Sequence, residues 1–244
     1  MSTFISKETI QRLLKDVKYI IKNPLTEQGI YYIHDDTDML KGYAMIVGPS
    51  DTPYFGGFYF FEFTYPTDYP HSPPKVKYCT NGYNIRFNPN LYCCGKVCIS
   101  LLNTWKGDQW TSCQTISTVL LTLCTLLCSD PLLNEPGVNK EHTDMNNYTS
   151  IIEVSNLSIA VCDIVSKKKG VYLPFFDNFY PFVKEIFNNN YAQLLEFSQK
   201  RLAETFTKPT NITTEFYSMN VCVNYTSIIK KLQTTKQMLE LSTA

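Results

Sequence analysis

The chain has 244 residues, of which 44% are apolar and 14% aromatic, enough to bury a sizeable core in one large domain or a domain with an extension. Lysine plus arginine and aspartate plus glutamate both number 22, so the formal charge is zero. That balance removes a global electrostatic draw toward nucleic acid or an anionic membrane, and leaves proteins and small molecules as the expected partners.

Ile10, Leu13, Leu14, Val17, Ile20 and Ile21 recur at helical spacing, and Asn23-Pro24 ends the pattern, which predicts an N-terminal amphipathic helix. Strand-like segments follow from Gly29, Lys41, Gly56 and Lys75, separated by turn-type residues. Their connections are too short for parallel crossovers, so an antiparallel meander is expected. Residues 81–110 show neither period, and a loop of that length inside a compact domain is commonly functional. Helical spacing resumes with Ile116, Val119, Leu120, Leu123 and Leu127, stops at DPLLNEPG, and returns from about Asp144 to Val165. The run VLLTLCTLLC at 119–128 is too short to cross a bilayer. Beyond SKKKG (166–170) an aromatic-rich segment predicts a helix to Phe206 and another from Tyr225 to Leu239. So many aromatic residues do not suit a solvated tail, and the segment is expected to pack on the core or on a partner.

Nine cysteines cannot all pair, and the opening MSTFISKETIQRLLK carries charge where a signal peptide needs an apolar core. A reduced, cytoplasmic setting is expected, with the nucleus also open to it. In that setting the Asn-x-Ser/Thr triplets at Asn147, Asn156, Asn211 and Asn224 read as chance. The stretch NPNLYCCGKVCISLL at 88–102 sets Cys93, Cys94 and Cys98 close together with no histidine. Adjacent Cys93 and Cys94 do not form a Cys-x-x-Cys pair, and no second pair completes a zinc site. Cys124 and Cys128, four apart on one helical face, read as core fillers. His34, His71 and His142 lie outside any cysteine-hydrolase signature.

The order helix, four-strand meander, long loop and helices, with YPHSPPKV entering the fourth strand and RFNPNLY…GKVCISLL after it, resembles the ubiquitin-conjugating enzymes. The resemblance covers roughly Ile5 to Val165 and includes the Tyr-Pro-x-x-Pro-Pro turn at Tyr69–Pro74, Pro89-Asn90, Gly95–Cys98, Trp105 and Trp110. In that family the asparagine of a His-Pro-Asn motif lies eight residues before the active cysteine, as Asn90 lies before Cys98. Asn88 stands where the family histidine is usual, and an amide offers both a donor and an acceptor there. PSDTPYFGGFYF, NTWKGDQW, LLNEPG and IAVCD are most similar to a larger subgroup with a C-terminal extension, some members of which use a second ubiquitin-like modifier.

The resemblance implies an α+β ubiquitin-conjugating fold: an N-terminal helix, a four-stranded antiparallel meander and C-terminal helices, with a catalytic domain over residues 1–166 and a helical extension over 167–244. It implies that Cys98 carries ubiquitin or a ubiquitin-like modifier as a thioester, that the Asn90 amide meets the oxyanion, and that Glu135 is an acidic gate for lysine, with Asp130 as a substitute. The implied partners are a ubiquitin-activating enzyme, a ubiquitin ligase and a lysine-bearing protein substrate, with no nucleic acid and no membrane. ATP is consumed by the activating enzyme, so no cofactor or metal is implied. His71 and Ser112-Cys113 fall in the two loops the family uses for ligases but lack the usual bulky aromatic and Pro-Ala, so partner choice is expected to differ. A non-catalytic binding module is the alternative, but such relatives lack the active cysteine.

Overall fold

In the computed structural model, which describes residues 5–241, α1 spans Lys7–Lys22. The Ser6 hydroxyl accepts from the Thr9 amide at 3.0 Å to start it, and the Asn23 amide donates back to the Tyr19 carbonyl at 2.8 Å where Pro24 ends it. Leu13 and Ile20 are buried, whereas Leu14 and Ile21, which share the apolar spacing, face solvent. A buried acid fixes the helix to its surroundings. Asp16 pairs with Arg12 at 3.0 Å and accepts the Tyr69 hydroxyl at 2.5 Å. Arg12 also donates to the Ser112 carbonyl at 2.5 Å. The Trp110 indole closes the same region by donating to the Pro70 carbonyl at 2.7 Å.

Four strands follow, β1 (Ile30–His34), β2 (Lys41–Val47), β3 (Phe58–Thr64) and β4 (Lys75–Tyr78), paired in chain order and antiparallel throughout. The expected meander is present. Its unusual feature is β3, where Phe58, Tyr59, Phe60, Phe61 and Phe63 are all fully buried. Both faces of the sheet are therefore covered, which an antiparallel sheet in water does not require.

On one face lies α3 (Met145–Ser155), which continues without a break as a π-helix over Asn156–Asp163. The Tyr59 hydroxyl donates to Asn156 Oδ1 at 2.6 Å, and the Asn156 amide donates to the Phe55 carbonyl at 2.9 Å. Asn156 is buried by this, so that triplet is no surface acceptor. The other face is covered by the chain beyond residue 170. Phe60 stacks on Phe176 with ring centroids 3.8 Å apart and planes 11° apart, Tyr43 stacks on Phe175 at 4.7 Å, and Tyr31 meets Phe182 at 4.8 Å. The Tyr43–Phe175 and Tyr31–Phe182 spacings fall in the range where ring pairs contribute beyond the area they bury.

Helix α2 (Ile116–Thr125) starts with reciprocal capping between Thr115 and Thr118. Cys124, in its last turn, is half-buried and packs against the core, whereas Cys128, beyond the helix, is half-buried and not among the residues packed there. The chain then forms α4 (Tyr180–Glu204), a hairpin of β5 (Thr210–Thr213) and β6 (Asn220–Val223), and α5 (Tyr225–Leu241). The two long helices were expected, and the hairpin between them was not. Asp163, buried in the π-helix, takes Lys231 of α5 at 2.7 Å and Lys168 at 3.5 Å, a second fastening between the core and this region.

Candidate active site

Residues 88–98 are built from backbone pairing. The Tyr92 amide donates to the Lys96 carbonyl at 2.9 Å, Gly95 to Tyr92 at 2.8 Å, and Cys98 to Asn90 at 2.9 Å. This is a short hairpin, and it gives the eight-residue offset a physical reason. Asn90 and Cys98 are directly opposed across it, while Cys93 and Cys94 are the two central residues of its turn. Gly95 closes that turn at a φ of +93°, in the left-handed region, where a Cβ would lie 3.0 Å from the Tyr78 carbonyl oxygen.

Asn88 anchors the hairpin to the rest of the protein. It is fully buried, and its amide nitrogen donates to the Leu126 carbonyl at 2.8 Å and to the Tyr54 hydroxyl at 3.1 Å. Its oxygen accepts the Asn90 amide at 3.0 Å. One side chain thus supplies a partner to a carbonyl at the end of α2, which the helix itself leaves unpaired, and orders the residue that faces Cys98.

Asn90 donates its side-chain amide to the Cys98 carbonyl at 2.6 Å. It therefore satisfies nearby backbone, as a turn residue does, and its second N–H remains for another acceptor. Cys98 is 3% exposed, and its thiol donates to the Thr104 carbonyl at 3.0 Å. The Thr104 hydroxyl accepts the Ile99 amide at 3.0 Å and fastens that loop in place. Cys94 is exposed, and Cys93 is half-buried, with burial pushing its thiol upward against the pull of Arg86.

Asn90, Cys98 and Glu135 line one small cleft of about 40 Å³ together with Pro89, Tyr92, Trp105, Asn134 and Pro136. That is room for about three waters. Glu135 sits at the end of a 3-10 turn over Pro131–Asn134 and is half-buried, its amide donating to the Leu132 carbonyl at 3.0 Å. Asp130 does not line this cleft and lies 4.0 Å from Lys140. The histidines are spoken for elsewhere. His34 binds the Tyr32 hydroxyl at 2.8 Å, His71 lies 3.4 Å from Glu8, and His142 accepts the Asp144 amide at 3.1 Å. Among the described residues, no group of three or more histidine, cysteine, aspartate or glutamate side chains is placed to hold a metal ion, and no helix is long and apolar enough to cross a membrane.

The sequence model of the ubiquitin-conjugating enzyme matches residues 12–155. The chain belongs to the ubiquitin-conjugating enzyme family. It is 44% identical over 166 residues to ubiquitin-conjugating enzyme E2 Z of Danio rerio, covering 67% of this chain and 50% of that protein. It is 43% identical over 164 residues to E2 Z of Homo sapiens, covering 66% of this chain and 46% of the relative. A third similarity, 42% over 127 residues, is to the dual E2 ubiquitin-conjugating enzyme/E3 ubiquitin-protein ligase BIRC6 of Homo sapiens, covering 48% of this chain and 3% of that protein. The chain thus spans about half the length of the E2 Z relatives it matches. The family match ends at residue 155, so it does not reach the hairpin or the last two helices.

Two contributors to this candidate site in a chain of the ubiquitin-conjugating enzyme family were not picked out as functional from the sequence. Thr104 holds the loop over Cys98, and Asn134 supports Asn88 and donates to the Leu126 carbonyl at 3.2 Å. The signal for Thr104 was its place in NTWKGDQW, close after the cysteine; for Asn134 it was adjacency to Glu135.

Proposed function

We propose that this chain carries ubiquitin or a similar modifier as a thioester on Cys98 and delivers it to lysine on a protein substrate, in company with a ligase. The observation that supports this is the cleft in which Cys98, Asn90 and Glu135 meet, with Cys98 opposed to Asn90 across the hairpin. The reading includes the division into a catalytic domain over residues 1–166 and an extension over 167–244.

Loading begins when the Cys98 thiol leaves the Thr104 carbonyl and, as a thiolate, attacks the modifier's thioester on the activating enzyme. A new C–S bond forms, the old one breaks, and the activating enzyme's thiol departs. ATP is spent in that enzyme, so the step needs no cofactor here. In the transfer step the incoming lysine ammonium gives a proton to Glu135, which passes it to water, and the neutral amine so formed attacks the carbonyl. The Asn90 amide donates to the oxygen as it becomes negative, and Cys98 leaves as a thiolate that takes up the attacking nitrogen's second proton.

The test is to mix the protein with activating enzyme, ATP and a panel of modifiers and to look for a gel shift removed by thiol reductant. Cys98→Ser should give a reductant-resistant oxyester or nothing, while Cys93→Ser and Cys94→Ser still form the thioester. A thiol-sensitive conjugate that persists in Cys98→Ser and vanishes in Cys93→Ser or Cys94→Ser would move the assignment to the turn.

A further inference from the structure

The turn between β5 and β6 reaches back to the cleft. The Tyr217 hydroxyl donates to Glu135 Oε2, a contact between residues 82 positions apart. Its ring stands 4.8 Å from the guanidinium of Arg86, which also lies 3.4 Å from the ring of Tyr92, a residue that itself lines the cleft. Arg86 is fixed between these contacts by donating to the carbonyls of Asn88 at 3.2 Å and Pro89 at 2.6 Å.

The turn is shaped for that contact. Tyr217 and Ser218 have φ of 62° and 49°, two successive side chains in the left-handed region, where neither is at its steric ease. What holds them is tertiary. The Phe216 amide donates to Asp144 Oδ2 at 2.9 Å, the Phe216 ring lies 5.1 Å from that of His142, and the Asn147 amide donates to the Thr213 carbonyl at 3.1 Å. A turn whose only purpose was to reverse the chain would use residues suited to positive φ, such as glycine.

We propose that Tyr217 is a positioning residue for the transfer step: from the hairpin of the extension it holds the Glu135 carboxylate at the mouth of the cleft. The inference rests on the reading of Glu135 as the group that receives the lysine proton. With Oε2 engaged by Tyr217, Oε1 has no hydrogen-bond partner among the described residues and is the oxygen left to face an incoming ammonium. The charged and titratable groups set against Tyr217 are Arg86 and Tyr92 from the catalytic loop, Cys93 and Cys94 of its turn, and Tyr148 of α3 with ring centroids 6.1 Å apart, while His142 and Asp144 ahead of α3 contact its neighbour Phe216. The gate is then assembled from both parts of the chain, and an altered hairpin alters transfer without touching the cysteine.

The experiment follows discharge of the purified Cys98 thioester to free lysine in a single turnover from about pH 6.5 to 9.5, so that molecules that fail to load are not counted. Tyr217→Phe keeps the ring on Arg86 and removes only the hydroxyl. It should retain loading and slow discharge by about tenfold below about pH 8, the scale of one hydrogen bond to a charged group, through a raised KM for lysine. The loss should shrink as pH rises toward about 9.5, where more of the amine is neutral without help. Glu135→Gln should lose more, and adding Tyr217→Phe to it should cost nothing further. If Glu135→Gln shows the pH-dependent loss and Tyr217→Phe discharges like the native chain, the positioning role is wrong and the gate stands. If Glu135→Gln shows no such loss, gate and positioning role fall together while Cys98 loading stands. A pH-independent loss in Tyr217→Phe that adds to that of Glu135→Gln, with a lowered melting midpoint, would reduce Tyr217 to a structural contact.

Discussion

Around Cys98 the chain is held by amides and carbonyls in a hairpin too short and irregular to count as sheet, whereas the seam between β3 and the extension is held by stacked rings. Both are long-range. Asn88 reaches Tyr54 and Leu126, and Phe60 reaches Phe176. Hydrogen bonds fix direction and tolerate little displacement, so they suit a site where one amide is proposed to face one carbonyl oxygen. Ring packing is less directional but buries more surface, so it suits a seam that keeps distant segments of the chain together. The difference teaches that stability and geometry are assigned here to separate parts of the chain, and substitutions should separate them.

The largest expected effect is at the seam. Phe176→Ala removes a fully buried ring and should destabilise the protein by about 3–5 kcal/mol, measured by urea unfolding, with loading per folded molecule unchanged. A loss of under about 1 kcal/mol would mean that the rings of Phe175 and Phe179 close the gap. Asn88→Ala should come next, at about 2 kcal/mol, because it takes one of two donors from the Leu126 carbonyl, removes a buried donor to the Tyr54 hydroxyl and frees the Asn90 amide. Unlike the ring deletion, it should also slow discharge, since it loosens the residue facing Cys98. Asn90→Ala should sharpen the contrast further. Its stability cost should stay near 1 kcal/mol, while discharge to lysine slows by more than about tenfold and loading is nearly intact. Equal loss in both steps would point to disordered backbone instead. The smallest effect is kinetic. Alkylation of the native chain read by peptide mass should modify exposed Cys94, Cys113 and Cys222 before Cys98, whose thiol is covered and bonded to Thr104. Early labelling of Cys98 would show that the loop over it opens freely.

Much of the fold was legible because its signals are local. The spacing of Leu13, Val17 and Ile20, the stop at Pro24 and the short links between strands each act within a few residues. The offset of Asn90 from Cys98 was legible through the family resemblance, and the structure supplies the hairpin that causes it. Two-sided burial of the sheet was readable in principle. FYFFEF has a single polar residue where a half-exposed strand would alternate, and that is the mark of a strand covered on both faces. The β5–β6 hairpin was not readable, because strands of four residues such as TNIT and NVCV give too short a pattern and carry turn-forming asparagines. Nor does any periodicity announce that Tyr217 meets Glu135, or that a carbonyl at Thr104 takes the thiol of Cys98, since both depend on how distant segments pack.

Between about pH 5 and 8 an imidazole at position 88 would gain or lose a proton, and the loop it anchors would feel the change. The amide that stands there does not titrate, and neither do the groups it binds: the Leu126 carbonyl, the Asn90 amide, and the Tyr54 hydroxyl, whose ionisation burial pushes far above its ordinary range. The scaffold beneath Cys98 is therefore deaf to acidity across that span. Compartments that differ in proton concentration should find the same loop geometry, leaving the incoming amine to register the difference.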